Sequence, residues 1–217
     1  MTNPSTTPDN PTTSQFDLSF GVTFDYLCPW ARNLNEHVLT GMRSGANWNV
    51  RFVPYSLSQG HVDEGDVDIW ERDNPDHESG ILALKVGLVV RDHHPEAFLD
   101  AHESLFAARH DQGDDIKSPA VLAAALDHAG LDGQPIVSAA QHDSMTQQLA
   151  NEHRAAVEDH DVWGVPTVIG EHRSVFLRVL DRPDGDADVA RQRVRFVVSM
   201  VNDEPMIHEF KQTELTR

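Results

Sequence analysis

The chain has 217 residues, 39% apolar and 24% charged, with 17 Lys+Arg against 35 Asp+Glu for a net charge of −18. These proportions exclude a collagen-like or wholly disordered polymer and allow one domain, or one domain carrying a large insertion, around a real core. The acidity argues against nucleic-acid binding and against docking on anionic membranes; being spread along the chain, it reads as solvation rather than a site.

There is one cysteine, Cys28, so a disulfide within the chain is impossible. Residues 1–15 carry Thr, Pro, Ser and Asn with no apolar stretch and read as a disordered tail rather than a targeting segment. No run approaches a membrane span; the longest, Ile81 to Val90, is interrupted by Lys85. A soluble cytoplasmic protein is expected.

Leu18 to Phe24 is rich in β formers and predicts a first strand. A helix follows from Pro29 to Arg43, with Ala31, Leu34, Val38 and Met42 on one stripe and a proline suited to the first turn. Trp48 to Val53 alternates and predicts a second strand, parallel to the first across a helical crossover. Residues 56–161 then show helix signals only. Glu78 to Arg91 reads as a buried helix, and Pro95 as the start of another containing Phe98, Leu99, His102, Leu105 and Phe106. Ser118-Pro119 starts a helix that Gly130 closes, and His142 to His160 is a polar helix with Met145, Leu149 and Val157 inward. Val165–Ile169 and Ser174–Leu180 predict a hairpin, and a last helix runs from Ala187 to Val201. The predicted organisation is one α/β unit, residues 16–55 and 162–217, interrupted by an all-helical insertion at 56–161.

Cys28-Pro29-Trp30-Ala31 lies where the first strand passes into the first helix. A sulfur there faces the unpaired N–H groups of the first turn and the positive end of the helix dipole, both of which favour thiolate. Arg32, at i+4, is a candidate for added positive charge, while Asp25 opposes it. These features predict a pKa below the roughly 8.5 of a free cysteine; the alternative is an inert buried thiol. Gly164-Val165-Pro166-Thr167 reads either as an edge-strand proline or as a cis proline.

Phe24-Asp25-Tyr26-Leu27-Cys28-Pro29-Trp30 and Gly164-Val165-Pro166-Thr167 together resemble the DsbA-like thioredoxin-fold proteins. That group includes cytoplasmic FrnE-type oxidoreductases, mycothiol-dependent reductases, and the hydroxychromene-carboxylate isomerase and kappa glutathione transferase branch. The resemblance runs over roughly residues 18–201 and implies a thioredoxin fold, β-α-β … β-β-α. It implies that Cys28 is the nucleophile and that Pro166 is cis and adjacent to it. The Val165 backbone would pair with an extended substrate. Pro29 and Trp30 would border the thiol, Trp30 as a wall or as simple packing. Tyr26 would supply a hydroxyl near the sulfur or serve as a core aromatic.

One departure from the family pattern matters. Ala31 stands where a second cysteine is usual, so a dithiol cycle within the chain is excluded. The expected activity is monothiol exchange on low-molecular-weight thiol adducts or mixed disulfides, with mycothiol or glutathione as co-substrate and a small thiol or thiolated protein as partner. Alternatives are a thiol-dependent isomerase or transferase, whose relatives usually carry Ser at the Cys28 position, and a non-catalytic binding module. No metal is expected: His93, His94, His102 and His110 lack a ligand spacing and read as solvated helix faces. His61 is a weak candidate for lining the cleft, and Asp63, Glu64, Asp66 and Asp68 read as a solvated run. The sequence leaves the oligomeric state open.

Overall fold

A computed structural model describes residues 16–204, 206 and 207; the tail expected at 1–15 lies outside them. Four strands, β1 (Leu18–Phe24), β2 (Trp48–Pro54), β3 (Thr167–Ile169) and β4 (Ser174–Phe176), form one sheet in the order β2-β1-β3-β4. β1 and β2 are parallel, with Leu18 opposite Trp48 and Phe24 opposite Pro54; β3 runs antiparallel to both β1 and β4. The parallel pair needs the crossover that α1 (Pro29–Arg43) supplies. Both the thioredoxin-like order and the helical insertion are therefore present.

Between β2 and β3 lie α2 (Leu57–Gly60), two single 3-10 turns, and α3 (Ile81–His93), α4 (Phe98–His110), α5 (Pro119–His128), α6 (Gly133–Ala140) and α7 (Asp143–His160). α3 is the centre of the insertion. Every residue from Ile81 to Val90 is buried, because α4, α5, α6 and α7 pack around it. Lys85 is buried with them and is held by Asp76 at 2.7 Å and the Thr146 hydroxyl at 2.9 Å. The insertion is welded to the sheet unit by α1 against α4 and α7 against β2, while α8 (Ala187–Asp203) packs on α1 through Val194, Val197, Val198 and Val201. One continuous core results.

Several boundaries differ from the sequence reading. α3 begins at Ile81 rather than Glu78, because Gly80 adopts φ +81°, a left-handed conformation outside any helix. α4 begins at Phe98, after a turn in which the Ala97 N–H bonds the His94 carbonyl. α6 was not predicted; Pro135 sits in its first turn, and Ile136, Val137 and Ala140 form a short buried stripe. In α7, Val157 is half exposed while Met145, Leu149, His153 and Ala156 face inward. The hairpin is shorter than predicted. Pro166 has no N–H to pair, and its carbonyl instead accepts the Leu177 N–H at 3.1 Å, where β4 has already ended.

Candidate thiol site

The site forms where β1 ends. The Asp25 carbonyl accepts the Cys28 N–H at 3.0 Å, and its carboxylate accepts the Leu27 N–H at 2.9 Å and the Leu57 N–H at 2.8 Å. One buried acid thus closes the turn before the cysteine and ties it to the first helix of the insertion. Burial pushes the Asp25 carboxyl up to about 6, against the two amide donors that pull it down.

Cys28 is the N-cap of α1. Its extended backbone (φ −92°, ψ 116°) hands over to Pro29 at the first helical position, and its sulfur accepts the Ala31 N–H at 3.4 Å. The same sulfur lies 3.4 Å from the Val165 carbonyl, to which the S–H donates. Val165 precedes Pro166, and the peptide between them is cis. This loop is clamped from both ends: the Thr167 N–H bonds the Thr23 hydroxyl at 2.7 Å, and the Thr167 hydroxyl bonds the Gly164 carbonyl at 2.8 Å. Cys28 is the sole sulfhydryl and is 6% exposed.

The electrostatics reverse the sequence expectation of a lowered pKa. Burial pushes the Cys28 thiol up, and the Asp25 charge adds to that; the Ala31 and Trp30 N–H groups and Arg178 oppose it. A thiolate would also leave the Val165 carbonyl oxygen aimed at an anion. The resting group is therefore the hydrogen-bonded thiol. The helix-terminus effect exists, but desolvation exceeds it.

Of the residues singled out from sequence, Cys28, Ala31, Val165 and Pro166 come together. Pro29 is exposed at the helix start, and Trp30 is half-buried against the core edge. Tyr26 does not serve the sulfur: its hydroxyl bonds His102 Nδ1 at 2.8 Å in the core. Arg32 also turns away, to Glu36 at 2.8 Å and Asp111 at 2.5 Å, because two carboxylates outcompete a buried thiol for a guanidinium. His61 is exposed at the end of α2.

The histidine reading needs correction too. His102 is fully buried, stacked against Phe98, with Nε2 3.1 Å from Asn35 Oδ1; burial holds its pKa down at about 3. His110 is half-buried and bonds the Tyr26 carbonyl at 2.9 Å. His93 is exposed, as a solvated face requires. Among the described residues, no group of three or more His, Cys, Asp or Glu side chains is arranged to hold a metal ion.

Sequence reasoning missed Thr23 and Thr167 as the clamp of the proline loop, and Arg178 as the cation acting on the sulfur. Trp163, which opens the Trp-Gly-Val-Pro-Thr run in the sequence, is 70% exposed beside that loop and packs against Phe176 with ring centroids 4.4 Å apart.

The profile of the DSBA-like thioredoxin domain matches residues 22–184. No curated protein matches the chain significantly. Among solved structures, the cytosolic disulfide reductase DsbM from Pseudomonas aeruginosa with GSH is 16% identical, with TM-score 0.56, covering 82% of this chain and 98% of that one. Oxidised BdbD from Bacillus subtilis is 13% identical, with TM-score 0.55, covering 83% and 87%. Reduced DsbA1 from Neisseria meningitidis is 16% identical, with TM-score 0.53, covering 84% and 87%. At these identities the likeness is one of fold. Among the described residues no helix is long and apolar enough to cross a membrane.

Proposed function

Because the chain belongs to the DSBA-like thioredoxin domain family, we propose that it is a thiol-disulfide oxidoreductase working through Cys28 alone on low-molecular-weight thiol adducts. The observation that carries this reading is the sulfur's position. It caps α1, accepts the Ala31 N–H and meets the Val165 carbonyl on the proline loop, with no second cysteine in the chain. The cytosolic DsbM, solved with GSH, is a reductase of similar fold and supports a small thiol as co-substrate and a cytosolic setting.

The chemistry balances with one protein sulfur. The Cys28 thiol gives its proton to solvent, and the thiolate attacks the small-thiol sulfur of a mixed disulfide. A Cys28–small-thiol disulfide forms, and the other half leaves as a thiolate that takes up a proton. A second small thiol, glutathione or mycothiol in class, then attacks the small-thiol sulfur held on Cys28, departs with it as a small-thiol disulfide and restores Cys28. The Ala31 N–H stabilises the thiolate as attacking and as leaving group. Pro29, Trp30 and the Val165–Pro166 edge border the substrate, which pairs with the Val165 backbone once the thiol has released its carbonyl.

A second reading is favoured by the burial of Cys28 and its raised pKa: a groove that holds a thiol ligand without exchanging it. Intact mass spectrometry separates the two. Exposure to oxidised glutathione should add one glutathionyl group per chain, removable by a second thiol and absent in Cys28→Ser. A protein that binds glutathione yet never acquires the adduct has the second function and not the first.

A further inference from the structure

We propose that the cleft beside the active turn is a carboxylate-receiving subsite, so that the thiol substrate is anionic rather than a neutral sugar thiol; this rests on the exchange function proposed above. The cleft, about 330 Å³, is lined by Leu27, Ser79, Arg109, Asp115, Ile116 and Lys117 together with Gly113. Leu27 immediately precedes Cys28. That volume lies at the lower end for small-molecule sites and suits a peptide-sized fragment.

Its charge stands out against the rest of the molecule. Acids outnumber bases 35 to 17. Of the Lys and Arg residues described, only Arg51, Arg109, Lys117, Arg173 and Arg178 lack a carboxylate within 4.0 Å. Two of these five line this cleft, and a third, Arg178, acts electrostatically on the Cys28 thiol. Among the described cations outside the cleft, ten of thirteen have a carboxylate within 4.0 Å. Asp115 is the opposing charge in the lining, and its Oδ1 accepts the Lys117 backbone N–H at 3.1 Å. The lining side chains therefore sum to one positive charge where the whole chain is strongly negative.

The backbone that carries the two exposed cations is anchored relative to the cysteine turn. His110, next to Arg109, bonds the Tyr26 carbonyl at 2.9 Å, two residues before Cys28. The segment after α4 folds back through Asp114 N–H to the Ala108 carbonyl at 2.9 Å, and Ile116 is anchored at 2% exposure. Next to Ser79, Gly80 approaches the cysteine turn so closely that a Cβ would press on Leu27 and the Asp25 carboxylate. A carboxylate on a thiol docked at Cys28 would there meet two unpaired cations; mycothiol, whose sugar portion carries no carboxylate, would leave them unused.

The test compares S-thiolation of Cys28 by oxidised glutathione and by neutral bis(2-hydroxyethyl) disulfide, each rate divided by that reagent's rate with a free small thiol. Binding of unreactive S-methylglutathione is followed by titration calorimetry. The wild-type protein should prefer the anionic disulfide, less so as salt rises. Arg109→Ala/Lys117→Ala should cut that preference about tenfold and weaken S-methylglutathione binding to match. Lys117→Glu alone, at an exposed side chain, should do so in part. Thiolation by both disulfides with no preference, or with one that survives the substitutions, overturns the subsite and leaves the exchange function standing. S-methylglutathione binding that the variants abolish, with no thiolation by either disulfide, upholds the subsite and removes the exchange function. Absence of both binding and thiolation overturns both.

Discussion

At the sulfur, three effects compete. The helix terminus offers two N–H groups, Arg178 adds a positive charge, and burial beside the Asp25 carboxylate works against both. Alkylation of Cys28 should therefore accelerate only at a pH above that of a free thiol, as a stopped-flow iodoacetamide profile would record. Arg178→Ala should push the profile further up. Arg32→Ala should leave the profile in place, because Arg32 is committed to Glu36 and Asp111. It should instead cost roughly 1–3 kcal/mol in denaturant unfolding, since Glu36, almost fully buried, keeps only Arg182. A profile that shifts in Arg32→Ala and not in Arg178→Ala would reassign the cation at the site.

The first turn of α1 and the helix contacts of the insertion carry their own expectations. Ala31 stands at i+3 from Cys28, and its N–H already points at the sulfur. Ala31→Cys should give a dithiol that closes under mild oxidant, visible as a loss of two mass units and two free thiols, and should bring insulin-reducing activity. Ala31 is fully buried, so the added sulfur must displace neighbours; a cost of about 1–3 kcal/mol is expected instead of a neutral change. Farther away, Gly133 begins α6 against the backbone of α5, where a Cβ would overlap the Ala123 carbonyl. Backbone cannot swing aside as a flexible side chain can. Gly133→Ala should destabilise by about 2 kcal/mol or more in urea unfolding, with Cys28 reactivity unchanged in the folded fraction.

For the molecule as a whole, the buried ionisable groups set how stability responds to acid. His102 stays neutral in the fold down to about 3 and His153 down to about 4, whereas in the unfolded chain both protonate near 6.5. Their contribution is complete above the unfolded pKa and is lost as pH falls toward the folded values. Asp25 acts in the opposite sense. Its folded pKa of about 6 lies above the unfolded 3.8, so its contribution is complete below the unfolded value and disappears as pH rises through about 6. Two histidines outweigh one aspartate, and between pH 7 and 4 the fold should lose on the order of a few kcal/mol. Melting temperatures across that range should fall, and less steeply in His153→Gln. A flat response would mean that these histidines are solvated.

The sequence alone determined the strands and helices whose signals are local. β1, α1 and the last helix follow from β formers, a proline at the helix start and a regular valine stripe, all of which act over a few residues. It determined as well that one sulfur precludes an internal dithiol, which is a matter of counting. Tertiary structure decided what depends on distance between remote segments. Whether the helix terminus or burial governs Cys28 turns on β1, α1 and the proline loop enclosing the sulfur, and spacing cannot report enclosure. Tyr26 and Arg32 are near Cys28 in sequence yet serve other partners, because His102, 76 residues on, and Asp111, 79 residues on, offer each a stronger bond. The histidines looked solvated from composition, but His102 lies inside because α4 turns that face toward α1. A side chain's chemistry is set by its neighbours, and in this fold the decisive neighbours come from the middle of an insertion about a hundred residues long.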